Sequence, residues 1–249
     1  MPDMAQCWGH CPRCDLPHSL NRGPSLPAAE ELKERLIMAD SIDLDNPPAS
    51  RKTDLSLAYL RGPARGQMFG VMVYEDRAGR RGTARAFSGQ YNGRWQVAGW
   101  AEPLFAVEDF QELTLPVEAR IKALTVELTS LPAGEPAHAK ARRKRQALSR
   151  QLMLDIQQLY QVHNFRQQKR ALPQIFLGNG GIPTGTGDCC GPKLLNHAAR
   201  HGLRPLGISE FYLGQTNRSE SRRHGLYYQS CAAKCRPILG YMLCGLEGL

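Results

Sequence analysis

Two cysteine clusters in the last third of the chain constrain its fold more than any other feature. Residues 183–246 read PTGTGDCCGPKLLNHAARHGLRPLGISEFYLG, then a basic polar gap, then RRHGLYYQSCAAKCRPILGYMLCGL. Cys189 and Cys190 stand just before the apolar helical pattern KLLNHAARHG, and Cys231 and Cys235 begin CAAKCRPILGYML, a second such pattern. A short apolar run at 206–213 (LGISEFYL) reads as a strand between them. If the two helices pack side by side with their N-termini together, three or four thiols meet at one point. Helix N-termini and a divalent cation both favour the deprotonated sulfur, so this arrangement predicts a zinc site. Cys189, Cys231 and Cys235 are the expected ligands, with His224 as the fourth.

The 249 residues carry a formal charge of +9 and are 42% hydrophobic, enough for one large domain or two small ones with a real core. The charge favours an anionic partner, and nucleic acid is the first candidate. No run is apolar enough to span a bilayer, and the N-terminus lacks a secretory apolar core, which predicts a cytoplasmic protein without a membrane partner. In a reducing compartment, eight cysteines read as metal ligands or buried thiols in preference to disulfides.

The segment 1–62 holds a second Cys/His group, CWGHCPRCDLPH. Cys11 and Cys14 have the two-residue spacing of a zinc knuckle. Cys7 with His10 or His18 would complete a second, weaker metal site, here taken as Cys7, His10, Cys11 and Cys14. One helix follows at 27–38, with proline in its first turn and Leu32, Leu36 and Ile37 as its stripe. Residues 68–75 (MFGVMVYE) predict a strand whose hairpin partner is 83–88, and 95–100 reads as a third strand or a loop.

From 117 to 172 the period becomes helical. Val117, Ile121, Leu124 and Leu128 form one stripe, and Leu148, Leu152, Ile156, Leu159 and Val162 another. A bend near 132–136 makes this an antiparallel helical hairpin, interrupting the 63–249 domain at 108–172. Its second arm crowds Lys140, Arg142, Arg143, Lys144, Arg145 and Arg150 into a few turns with few acids beside them, a pattern suited to RNA phosphates. The glycine-rich loop GNGGIPTGTG lacks the ending of a phosphate-binding P-loop and reads as the turn that positions Cys189.

The resulting order is β-hairpin, helical insertion, loop, Cys-led helix, strand, Cys-led helix. It resembles the zinc nucleobase-deaminase fold, which implies an α/β, three-layer, deaminase-like mixed sheet flanked by helices. In that chemistry a glutamate two residues after the first ligand shuttles the proton of a zinc-activated water. Here that position is Gly191, and the second pair is spaced Cys-x-x-x-Cys. Glu210, on the intervening strand, is the one acid placed to substitute.

The blocks GTGDC-x-x-PKLL and HG-x-x-Y-x-x-C-x-x-x-C, with GQMFGVMVYEDRAGRRGTARAFSGQYNG, resemble the N-terminal extension of a subset of bacterial RluA-family RNA pseudouridine synthases. The likeness covers most of 63–246. It implies an accessory role in RNA modification, with tRNA or rRNA as partner and a separate pseudouridine synthase beside it. The synthase's catalytic Arg-Leu-Asp motif has no counterpart here.

Overall fold

The computed structural model describes residues 5–62 and 64–248. Its centre is a four-stranded sheet in the order β4-β3-β7-β8, built from β3 (Gly66–Glu75), β4 (Arg81–Phe87), β7 (Arg204–Gly214) and β8 (Tyr227–Tyr228). Every pairing in it is antiparallel, which corrects the expected mixed sheet. The reason is local: β3 and β4 are joined by a tight turn, and β7 returns alongside β3 in the opposite sense.

Side-chain alternation gives this sheet two apolar faces. Phe69, Val71, Phe211 and Leu213 face α1 (Ser25–Ala39), which buries Ala29, Leu32 and Leu36 there. Met72 and Ile208 point the other way, against Leu194, Leu195 and Ala198 of α4 (Cys190–His201). Gly70 lies under α4, and a Cβ on it would stand 2.7 Å from the Cβ of Cys190. Helix α4 ends at Gly202, whose φ of 65° is a left-handed cap that glycine adopts without strain.

The N-terminal segment adds two strands that periodicity did not single out, β1 (Cys7–His10) and β2 (Pro17–Leu20), paired antiparallel. They pack on α5 (Arg236–Leu243), and Cys7 and Leu20 join the same core cluster as α4 and α5. Here the backbones touch. A Cβ on Gly9 would lie 2.5 Å from the Arg236 carbonyl oxygen, and one on Gly240 would overlap the His10 carbonyl.

Helices α2 (Val107–Ser130) and α3 (Pro136–Leu159) pack along each other across a short turn. At ~1.5 Å per residue each is about 36 Å long, yet α2 buries only Thr114 and Leu124, and α3 only Ala141, Leu152 and Gln157. The helical stretch therefore stops at Leu159 and not at 172. The remainder forms the small hairpin β5 (Gln161–His163) and β6 (Lys169–Ala171). Residues 95–100 form a loop whose Trp95 and Trp100 pack inward. No described helix is long and apolar enough to cross a membrane.

Candidate metal centre and the buried carboxylate

Among the described residues one group of side chains has the makings of a metal site: Cys11, Cys14, His18 and Cys244, whose ligand atoms all lie within 4.8 Å of one another. The local sequence explains the first three. After β1 the chain turns sharply through Pro12, with Asp15 in the left-handed region at φ 59°, and the Arg13 amide donates to the Cys11 sulfur at 3.4 Å. Strand β2 then brings His18 back over the turn, its Nε2 3.1 Å from the Cys14 sulfur. Cys244 arrives from the other end of the chain as the C-cap of α5. The contact of Gly9 with α5 fixes this meeting of the two ends.

The Cys14 and Cys244 sulfurs are 3.8 Å apart. A tetrahedron with metal–sulfur bonds of ~2.3 Å has an S···S edge of roughly 3.8 Å, so the spacing is compatible with zinc. Cys11, His18 and Cys244 are buried and Cys14 half-buried, as in a closed structural centre. Burial raises the Cys11 pKa to about 11. Burial also opposes the Cys244 thiolate, but hydrogen bonds from Arg166, Cys11, Cys14 and Arg13 outweigh it and bring that group below its ordinary value. The other ring nitrogen of His18 faces the Glu247 carboxylate at 3.8 Å, too long for a direct hydrogen bond.

Two residues expected in this group stand apart from it. Cys7 and Cys11 are four residues apart along an extended strand, roughly 13 Å, and Cys7 points into the core, with its sulfur 3.1 Å from Ser230 Oγ. His10 faces outward and pairs with Asp15 at 2.7 Å. Their places are taken by His18, the alternative in the same loop, and by Cys244. In the sequence Cys244 is the one cysteine outside the clusters 7–14, 189–190 and 231–235, and no spacing ties it to any of them.

The cysteines of the last third also converge. Cys189 is the N-cap of α4, and residues 231–235 form the turn before α5, with the Cys235 amide donating to the Cys231 carbonyl at 3.1 Å. Neighbouring Cys189 and Cys231, with burial, raise the Cys235 pKa far above the ordinary value, but the three sulfurs do not draw within 4.8 Å of one another as the Cys11 group does. The Cys231 pKa is lowered to about 5, first by the Cys235 thiol and then, against burial, by the amides of Lys234, Ala233 and Cys235. Cys190 is instead a core thiol beneath the sheet, directed at the Met68 carbonyl at 3.4 Å. His224 does not join these sulfurs. Its Nδ1 accepts from the Gly214 amide at 3.2 Å, four residues along β7 from Glu210.

Glu210 lies where the sequence pattern has its gap. A Cβ on Gly191 would stand 3.2 Å from Glu210 Oε1, so the strand carboxylate fills the space a side chain at 191 would take. Ser230 Oγ donates to it at 2.6 Å and Gln6 Nε2 at 3.3 Å. It is 3% exposed, covered by Gln6 and Ser230. Burial holds its pKa above the usual 4.5, opposed by the hydrogen bonds from Ser230, Gln6 and the Gly191 amide. A carboxyl raised on folding adds stability below its unfolded pKa and loses it as pH rises through the folded value. The stability of the native protein relative to Glu210→Gln is therefore expected to be greatest below pH 4.5 and to fall as the pH rises above it. Paired urea midpoints on both sides of that pH check this, and a difference that grows with pH contradicts it.

The basic side chains of α3 lie on the long helix pair. Lys140, Arg142, Arg143, Lys144 and Arg150 are exposed and Arg145 is half-buried. Among the described residues none of the six forms an ion pair.

These features define a mixed α/β protein with antiparallel sheets, five helices among the described residues and a Cys/His cluster able to hold a metal ion. No protein-family model, curated protein or solved structure matches the chain at a significant level.

Proposed function

We propose that this protein is an RNA-binding accessory module of RNA modification, working beside a separate pseudouridine synthase on tRNA or rRNA. Zinc at Cys11, Cys14, His18 and Cys244 staples its two ends, and Cys189, Cys231 and Cys235 hold a second zinc within a deaminase-like domain into which the helix pair is inserted. The observation that carries the reading is the cluster of six cationic side chains on α3, five exposed and none paired with an acid among the described residues. Cations left free in this way suit a phosphate backbone. Arg143 and Arg150 are seven residues apart and share the face turned away from Ala141 and Leu152, which are buried.

The triple variant Arg142→Glu, Arg143→Glu, Arg150→Glu is expected to bind structured RNA at least tenfold more weakly. The slope of log affinity against log salt should become shallower by roughly 0.7–0.9 for each phosphate that the variant no longer neutralises. Filter binding from low to moderately high salt, with a tRNA and an rRNA fragment as probes, reads both. Unchanged affinity and slope remove the helix pair from the interface.

A second reading, a divergent zinc-dependent deaminase, draws on one observation: the Glu210 carboxylate occupies the notch over Gly191 beside the Cys189 turn. Its burial behind Gln6, Cys7 and Ser230 favours the module. Ammonia release from cytidine, adenosine or RNA, abolished in Glu210→Gln, would establish the enzyme instead.

A further inference from the structure

The base of the helix pair encloses a cavity that the metal centres do not use. It is half-open, has a volume of about 130 Å³, and lies between α2, α3 and the loop 182–188. For comparison, an apolar void of ~150 Å³ accepts one benzene ring. The space therefore holds a single six-membered ring, and the second ring of a fused purine would project through its open side.

Its walls are aromatic. Trp95 and Phe110 line it, edge to face at 5.4 Å, together with Tyr160. Its polar edge is Asp188. Tyr160 Oη donates to Asp188 Oδ1 at 2.7 Å, which fixes the carboxylate and leaves Oδ2 as an acceptor for a ligand N–H. Lys193 Nζ, wholly buried, donates to the carbonyls of Phe87 and Gly89 and lies 5.9 Å from the Trp95 ring centroid, holding that wall from behind. An aromatic slot with one oriented acceptor is the chemistry that recognises a planar heterocycle bearing an N–H.

The cations of α3 lead to this slot. Met153 and Gln157, both lining it, are three and seven residues beyond Arg150, and Arg150 is seven beyond Arg143, so all share one helical face. From Gln157, Arg150 lies ~10 Å and Arg143 ~21 Å up the helix. Lys234 stands at the loop side, its Nζ 3.5 Å from where a Cβ on Gly185 would be.

The geometry points to a pyrimidine-base pocket: a single-stranded RNA lays its phosphates along Arg143 and Arg150 and inserts one unstacked pyrimidine between Trp95, Phe110 and Tyr160, its N–H donated to Asp188. This deepens the RNA-binding reading and rests on it.

The test compares oligouridylate, oligocytidylate, oligoadenylate and an abasic strand of equal length by calorimetry on the full chain. Both pyrimidine strands are expected to bind roughly tenfold or more tighter than the abasic strand, within what one stacked base contributes, and tighter than oligoadenylate. Trp95→Ala should erase that preference with the salt slope unchanged. Because Trp95 also packs on Phe105, Met153→Trp serves as a second variant, filling the cavity without removing a wall, and should erase the preference too. Equal affinity for pyrimidine and abasic strands, a preference for oligoadenylate, or a preference that survives Met153→Trp overturns the pocket while leaving phosphate binding standing. No binding of any strand overturns both.

Discussion

Cys244→Ser is expected to lower the zinc content of protein purified without chelator by one ion per chain and to lower its melting temperature by about 6–20 °C. Three thiolates and an imidazole bind zinc with ~10–16 kcal/mol in folded peptides, and that energy is folding energy, because the unfolded chain has no formed site. Serine is a poor ligand for zinc, so the substitution removes one of four donors while keeping the shape of the residue. A loss of ~3–5 kcal/mol at ~2–4 °C per kcal/mol gives the range stated. The site closes a loop from Cys11 to Cys244, nearly the whole chain, so its loss frees both ends together. Elemental analysis distinguishes the two proposed centres: Cys244→Ser should take the count from two to one, and Cys231→Ser should remove the other ion. Unchanged zinc in Cys244→Ser would show that the cluster is a set of packed thiols.

Gly240→Ala should destabilise the protein by about 2–3 kcal/mol, although helix propensity alone predicts the opposite sign. In an exposed helix the same change gains up to ~1 kcal/mol. Here the added methyl would overlap the backbone of His10 and stand 2.7 Å from the Cys11 amide nitrogen. A backbone cannot rotate aside as a side chain can, so β1 and α5 must part, at the usual cost of overpacking. That movement carries Cys11 and Cys14 away from Cys244, and zinc content should fall with stability. Gly181→Ala is the control, since a methyl there meets nothing within 4 Å. Chemical denaturation of the three proteins reads the sign directly; a stabilised Gly240→Ala would mean that β1 does not rest on α5.

Elements with strong periodicity were legible from residues alone. Strand β3, its hairpin partner β4, strand β7 and helix α4 fall within a few residues of where the patterns put them, because each carries an apolar period long enough to override its neighbours. Strands β1 and β2 were not legible, since four-residue strands show hardly more than one alternation. Periodicity overextends the helix pair at its second end, where Val162 continues the helical stripe by coincidence and belongs to β5.

The metal cluster divides along the same line. Cys11 and Cys14 announced themselves because their ligand spacing is written within one loop, a local property of the chain. The choice of His18 over His10 was decided by the pleat of β1, which turns His10 outward towards Asp15 while β2 folds His18 back over the turn. Cys244 was beyond any local rule: 226 residues separate it from His18, and only the contact of two glycine-bearing backbones brings it there. Likewise the sequence could nominate Glu210 as an acid on a strand, but the notch over Gly191 that receives it exists only once α4 lies on the sheet. Residue types and spacings therefore determined which atoms are chemically fit to bind; close backbone approach, which carries no side-chain signature except the glycines that permit it, decided which of them meet.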